Sequence, residues 1–205
     1  PDRTGYILGS NLRSPLPGLL NAGRNLHRQG ASLIAVPCVT AHYFYEDLTA
    51  AIPTPIIHCI RETAAALKAQ GVESAGIMAT EGTVRSELIS RELEQVCIRA
   101  VLPSASRQAD VNHLIYRNIK AGKPAEMDRF YAVSQELKDR NAQVIILGCT
   151  ELSVLKERYI LGSGFLDALE VSGQLPKTIL YSLAICAKIP GCVVDSLPAV
   201  CQSTA

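Results

Sequence analysis

The constraint that narrows the fold most is an event that happens twice. Leu33-Ile-Ala-Val-Pro37 is a short apolar run rich in branched residues, and Cys38, Val39 and Thr40 follow it at once. Much later in the chain, Val144-Ile-Ile-Leu-Gly148 runs in the same way into Cys149 and Thr150. A continuous apolar run of this length reads as a strand buried on both faces, which is the habit of parallel sheets. Such strands present polar chemistry at their carboxyl edges.

The intervening sequence supports that reading. Leu19 to Gln29 repeats its apolar residues at helical spacing before Gly30, and Arg61 to Gln70 is alanine-rich and stops at Gly71. Strands are predicted at 31–37, 56–57, 74–79, 98–102 and 144–147. Helices are predicted at 84–97, 110–121 and 127–140, with loops at 10–18 and 103–109. Beyond Glu151, helical patches are predicted at 152–155, 165–171 and 178–188. Strands alternating with helices imply an α/β fold with ligands at the carboxyl ends of the strands. Cys38, Thr40, Thr80, Thr83, Cys149 and Thr150 all fall at those ends.

The 205 residues suffice for one good core or two small domains, and 48% hydrophobic against 19% charged residues is a globular balance. A net charge of +1 gives no clustered basic surface for nucleic acid. The longest apolar run, Ile179 to Ala187, is cut by Lys188, so no membrane span is expected. Seven cysteines without CxxC pairs, several of them inside apolar periodic segments, fit a reducing cytoplasm. The sequence opens at Pro1 without an initiator Met or a secretory leader. The expected partner is a small molecule.

A cysteine at a strand-to-helix turn lies near backbone N–H groups and the positive end of a helix, which lowers the thiol pKa from about 8.5. The same N–H groups and the threonine hydroxyls suit a carboxylate. Other readings stand beside this one. Either cysteine could be core filling. His42, four residues after Cys38, could form a Cys–His nucleophilic pair or hydrogen-bond locally. Cys38 and His42 supply two metal ligands at most, so no metal site is expected. His27, His58 and His113 read as ordinary helix-face or core histidines. Arg3 is a surface residue or a bidentate carboxylate clamp. Lys120 is a solvated helix end or a substrate cation. Glu81 and Glu151 either orient a substrate amine or begin helices.

Three blocks resemble, in order, the signature blocks of the aspartate/glutamate racemase family. They are Ala35-Val-Pro-Cys-Val-Thr-Ala-His42, Met78-Ala-Thr-Glu-Gly-Thr-Val-Arg-Ser86 and Ile146-Leu-Gly-Cys-Thr-Glu-Leu152. Pro1-Asp-Arg-Thr4 resembles its substrate-arginine segment and Ile119-Lys-Ala-Gly122 its lysine-bearing helix end. The resemblance implies two pseudo-symmetric parallel-sheet lobes with the active site in the cleft between them. It further implies cofactor-independent racemisation of aspartate or glutamate, with Cys38 and Cys149 exchanging the α-proton on opposite faces. The two thiols would titrate together, one charged at a time. Arg3, Thr40, Thr80, Thr83, Lys120, Thr150 and Glu151 take the substrate-binding positions. Val39 stands where the family usually has asparagine, which bears on substrate identity.

The family also has an N-terminal strand and glycine-rich loop, which this sequence is expected to lack. A maleate-isomerase-like enzyme and a non-catalytic paralogue that only binds an amino acid are the alternatives. The first lobe is expected to comprise 1–54 and 164–205 and the second 55–163, with Pro53 and Pro55 at the crossing. A homodimer is expected.

Overall fold

The structure is a computed structural model that describes residues 2–173. The helix predicted at 178–188, and the C-terminal part of the first lobe with it, lie outside the described residues.

Two parallel sheets organise the chain. In the smaller, β1 (Ile34–Ala35) pairs with β2 (Ile56–Ile57), Ile34 opposite Ile56 and Ala35 opposite Ile57. Helices α1 (Arg3–Ile7), α2 (Leu16–Arg28) and α3 (Tyr45–Ala51), with a 3₁₀ turn over Val39–Phe44, accompany it. Leu19, Ile34, Val36, Phe44, Leu48, Ile52 and Ile56 form its core.

The larger sheet has the order β4-β3-β5-β6, all parallel, from β3 (Ser74–Ala79), β4 (Arg99–Val101), β5 (Val144–Gly148) and β6 (Phe165–Asp167). Every residue of β3 is buried, as a strand covered on both faces requires. On one face α4 (Cys59–Ala69), α6 (Leu88–Gln95) and α10 (Ala168–Gly173) pack on Ala75, Ile77, Ala79 and Ile146. On the other, α7 (Ala105–His113), α8 (Met127–Asp139) and α9 (Thr150–Arg158) pack on Met78, Ile145 and Leu147. The alternation of these residues between the faces is the period-two geometry of a strand.

Three expectations are corrected. The helix expected at 84–97 is α5 (Glu81–Arg85) and α6, divided at Glu87, which takes a left-handed conformation with φ 57°. Residues expected as a loop at 103–109 form the first turn of α7, because Ser104 Oγ accepts the Arg107 N–H at 3.4 Å and caps the helix. The segment 165–171, expected to be helical, begins as β6: Phe165, Leu166 and Asp167 pair with Ile145, Ile146 and Leu147. Three residues are too few to show a strand period. β2 is bonded to the smaller sheet and β6 to the larger.

One local arrangement ties the small sheet to α4. His58 caps α4 through Nδ1, which accepts the Arg61 N–H at 3.2 Å. Glu92 Oε1 lies 3.5 Å from His58 Nε2, but Arg61 Nε holds the same oxygen at 3.0 Å, so the carboxylate is matched by the guanidinium. Burial, then His42 and Arg61, push His58 down to about 4.

Two outcomes follow. Ile146→Ala, in the fully buried centre of β5, is expected to cost about 2–5 kcal/mol in urea unfolding. The folded His58 binds its proton more weakly than the unfolded chain, whose imidazole pKa is about 6.5. Its contribution is therefore complete above pH ~6.5 and is lost as pH falls toward about 4. His58→Asn, which keeps a capping acceptor, should flatten the fall of the urea midpoint across that window.

Candidate active site

Cys38 follows β1 and precedes the 3₁₀ turn Val39–Phe44 with extended backbone, and its side chain is partly exposed. His42 fixes the carbonyl of Cys38, not its thiol. His42 Nε2 lies 3.4 Å from the Ile57 carbonyl and accepts the Cys59 N–H at the shorter 3.3 Å; with that bond made, the ring proton sits on Nδ1 and is donated to the Cys38 carbonyl at 3.2 Å. Burial lowers the pKa of His42, which keeps the ring neutral. The thiol near Nδ1 is that of Cys59, at 3.7 Å, pushed up to about 12 by burial and then by Cys38. The Cys38–His42 nucleophilic pair is thus not formed. His42 instead staples the end of β1 to the start of α4. Val39 is 1% exposed and packs in the core with Cys59 and Ile60.

Thr40 reaches from this turn to the larger sheet. Its Oγ1 is 3.0 Å from Thr80 Oγ1 and 2.9 Å from Thr83 Oγ1, and those two are 3.1 Å apart. All three residues are buried. Thr80 also caps α5 by accepting the Thr83 N–H at 3.3 Å. A hydroxyl carries one proton, so three mutual contacts close only if the donations run round the ring. The ring spans the two sheets.

Cys149 stands immediately beyond Gly148, whose partner across the sheet is Ala79. The register therefore sets Cys149 beside Thr80. Cys149 heads α9 and is 7% exposed. Its Sγ donates to Glu151 Oε2 at 2.8 Å, and Thr150 Oγ1 donates to the same oxygen at 2.7 Å. Behind it, Ser153 Oγ links the Cys149 carbonyl, at 3.3 Å, to Asp167 Oδ1, at 2.9 Å. The helix start was expected to lower this thiol's pKa. It is raised well above the ordinary value instead, by burial first and then by the Glu151 carboxylate, with Cys38 adding in the same direction. Desolvation of the buried sulfur outweighs the N–H groups of a helix end.

Arg3 opens α1 and makes no ion pair among the described residues. Lys120 is exposed on the 3₁₀ turn Ile119–Ala121, its Nζ 5.3 Å from the centre of the Tyr116 ring. Sequence reasoning missed Tyr116, whose OH donates to Thr4 Oγ1 at 3.0 Å. Its spacing of four from Lys120 was the available signal. Glu81 carries Arg85 at 3.2 Å and accepts from Asn112 Nδ2 at 3.3 Å. Gln108, also missed, donates to the Ala79 carbonyl at 3.0 Å, and its buried Oε1 has no partner among the described residues. Among the described residues no three His, Cys, Asp or Glu side chains converge as a metal site needs.

Two outcomes follow from this geometry. A Cβ on Gly82 would lie 3.0 Å from Thr4 Cα, a backbone atom. Gly82→Ala should therefore displace α1, raising its amide exchange while the exchange of β3 and β5 is kept. Glu151→Gln removes a negative charge beside Cys149, so the Cys149 thiol should ionise at lower pH, read from ultraviolet thiolate absorbance.

The model of the Asp/Glu/Hydantoin racemase family matches residues 1–167. The broad specificity amino-acid racemase RacX of Bacillus subtilis is 29% identical over 140 residues, 67% of this chain and 60% of its own length. Less than two thirds of that relative is therefore spanned. Among solved structures, the aspartate racemase of Picrophilus torridus superposes with a TM-score of 0.71 at 24% identity, over 83% of this chain and 71% of that one. A glutamate racemase of Francisella tularensis, in complex with D-glutamate, gives 0.60 at 19% identity, over 85% of this chain and 63% of that one. At these identities the superpositions establish the fold, and the family model establishes membership: the chain belongs to the Asp/Glu/Hydantoin racemase family.

Proposed function

We propose that the protein racemises an acidic amino acid, aspartate or glutamate, without a cofactor, by proton transfer between Cys38 and Cys149. The observation that carries this reading is the setting of Cys149, buried at the head of α9 with its S–H bonded to Glu151. Its thiol also feels the charge of Cys38, a thiol at the edge of the other sheet. A two-base site needs such an arrangement, with one sulfur holding a proton to give while the other takes one.

In the proposed step, the Cys38 thiolate removes the α-hydrogen as a proton. The electron pair left on Cα spreads into the α-carboxylate, and Cys149 delivers its proton to the opposite face, leaving as thiolate. The roles reverse for the other enantiomer. Thr40, Thr80, Thr83 and Thr150 would bind the substrate's polar groups, and Arg3 and Lys120 would face its carboxylates. Glu151 supports Cys149 more directly than it supports a substrate amine, since its Oε2 accepts from both Cys149 and Thr150. Val39 would act through the packing of the Cys38 turn.

The proposal includes two lobes, with the bounds moved by a few residues from 54/55 and 163/164 because β2 pairs with β1 and β6 with β5. It also includes a homodimer in a reducing cytoplasm; Cys38, Cys59, Cys97 and Cys149 are all free thiols.

The test is α-hydrogen exchange in deuterated water, with chiral analysis of aspartate and glutamate. The wild type should exchange both the added enantiomer and its mirror image over time, and Cys38→Ser and Cys149→Ser should each lose about 10²–10⁴-fold. Folded protein that leaves the α-hydrogen of both amino acids in place would overturn the reading. Turnover of maleate without turnover of amino acids would move the assignment to a diacid isomerase.

A further inference from the structure

The helix begun by α7 does not continue regularly. Leu114–Asn118 forms a single π-helical turn, followed by the 3₁₀ turn Ile119–Ala121 and by Gly122 with φ 70°. Turns of this wide kind are rare and occur mostly inside helices at functional positions, because the extra residue swings the side chains that follow it to a new bearing. Both turns pack against α9, the helix that starts at Cys149.

Tyr116 is the half-buried side chain at the middle of the π turn, and it has two distinct contacts. At the tip, its hydroxyl donates to Thr4 Oγ1 at 3.0 Å, and Thr4 is the residue after Arg3 on α1. On the face of the ring, Lys120 Nζ lies 5.3 Å from the centroid, within the range of a cation–π contact. The far side of Thr4 is closed as well, since the absence of a side chain at Gly82 is what lets the Thr4 backbone come so near α5. Thr4 is therefore gripped between α5 and Tyr116. The segment that carries Arg3 and the turn that carries Lys120 lie far apart along the chain, and one phenol touches both.

We propose that Tyr116 is a positioning residue that sets the separation of Arg3 and Lys120, and so selects amino acids bearing a second carboxylate over those with one. The proposal rests on the assignment of those two cations to substrate carboxylates under Proposed function. The hydroxyl fixes α1 and the ring holds the ammonium group. Neither contact is made to a cysteine, although the phenol lies within electrostatic reach of Cys149 and Glu151; removing a neutral hydroxyl leaves those charges in place, so the effect belongs to binding of the substrate's distal acid.

Tyr116→Phe keeps the ring, the burial and the lysine contact while removing the bond to Thr4. Thr4→Val removes the same bond from the other end. Each should raise KM, and the calorimetric Kd, for aspartate and glutamate about two- to tenfold, the range expected for one net hydrogen bond. The loss should fall on KM rather than kcat, affinity for alanine should not change, and the double variant should be no worse than either single one. Calorimetry reads binding without turnover, so a wild type that binds acidic amino acids but exchanges no α-hydrogen would sink the racemase reading and leave this one standing. Unchanged affinity in Tyr116→Phe, an equal loss for alanine, losses that add in the double variant, or a wild type with no affinity for acidic amino acids would each overturn it.

Discussion

The pairing of β3 with β5 is the constraint on which the site depends. Five consecutive residue pairs, from Ala75 opposite Val144 to Ala79 opposite Gly148, end the two strands level with each other. The next residues on each strand are Thr80 and Cys149, and each heads a helix, α5 and α9. Gly148 makes the level ending possible. A Cβ there would sit 2.7 Å from Ile89 Cδ1 and 3.2 Å from Ala79 Cβ, so a larger residue would turn the Ile89 side chain aside and crowd the end of β3. Because both faces of β3 are sealed by helices, the register cannot slip by one residue without turning every core side chain toward the wrong layer.

From that ending the chemistry follows by electrostatics. Two opposing influences act on Cys149, the N–H groups at the start of α9 and the loss of water around the sulfur. Burial is the larger, and Glu151 adds a negative charge and an acceptor for the S–H, so the thiol is held protonated. Cys38 differs in each respect, being partly exposed and anchored through its carbonyl by a neutral His42. Two cysteines in similar sequence settings thus meet different surroundings, which is the asymmetry a proton donor and a proton acceptor require. The hydroxyl ring of Thr40, Thr80 and Thr83 joins the sheets that carry them.

Much of this was readable from local pattern. Ser74 to Ala79 and Ile56 to Ile57 are strands because branched and small apolar residues run unbroken between turn residues, and both were located at their observed bounds. The two strand-end cysteines were visible for the same reason. What escaped the sequence depends on partners distant along the chain. α1 is only five residues long and is held by Gly82 and Tyr116, so its own residues give no helical period. The π turn at Leu114–Asn118 breaks a pattern that reads as one continuous helix. The protonation of Cys149 was misjudged because the helix start is written in the sequence, whereas the depth of burial is a property of the packed structure. His42 looked like a partner for the Cys38 thiol by spacing, until the Cys59 N–H claimed its Nε2 and fixed its proton on the other nitrogen.

The central claim of the proposed function is that two thiols exchange a proton with opposite faces of one substrate carbon. Its most direct measurement is the early course of turnover of L-aspartate or L-glutamate in deuterated water, with the isotope read separately in the product and in the unreacted substrate. The account predicts deuterium at Cα of the D-enantiomer while the remaining L-enantiomer keeps its protium, since one sulfur removes the proton and the other supplies a solvent-derived deuteron. Deuterium entering the recovered L-enantiomer as fast as the product would mean that a single base serves both faces, and would contradict it.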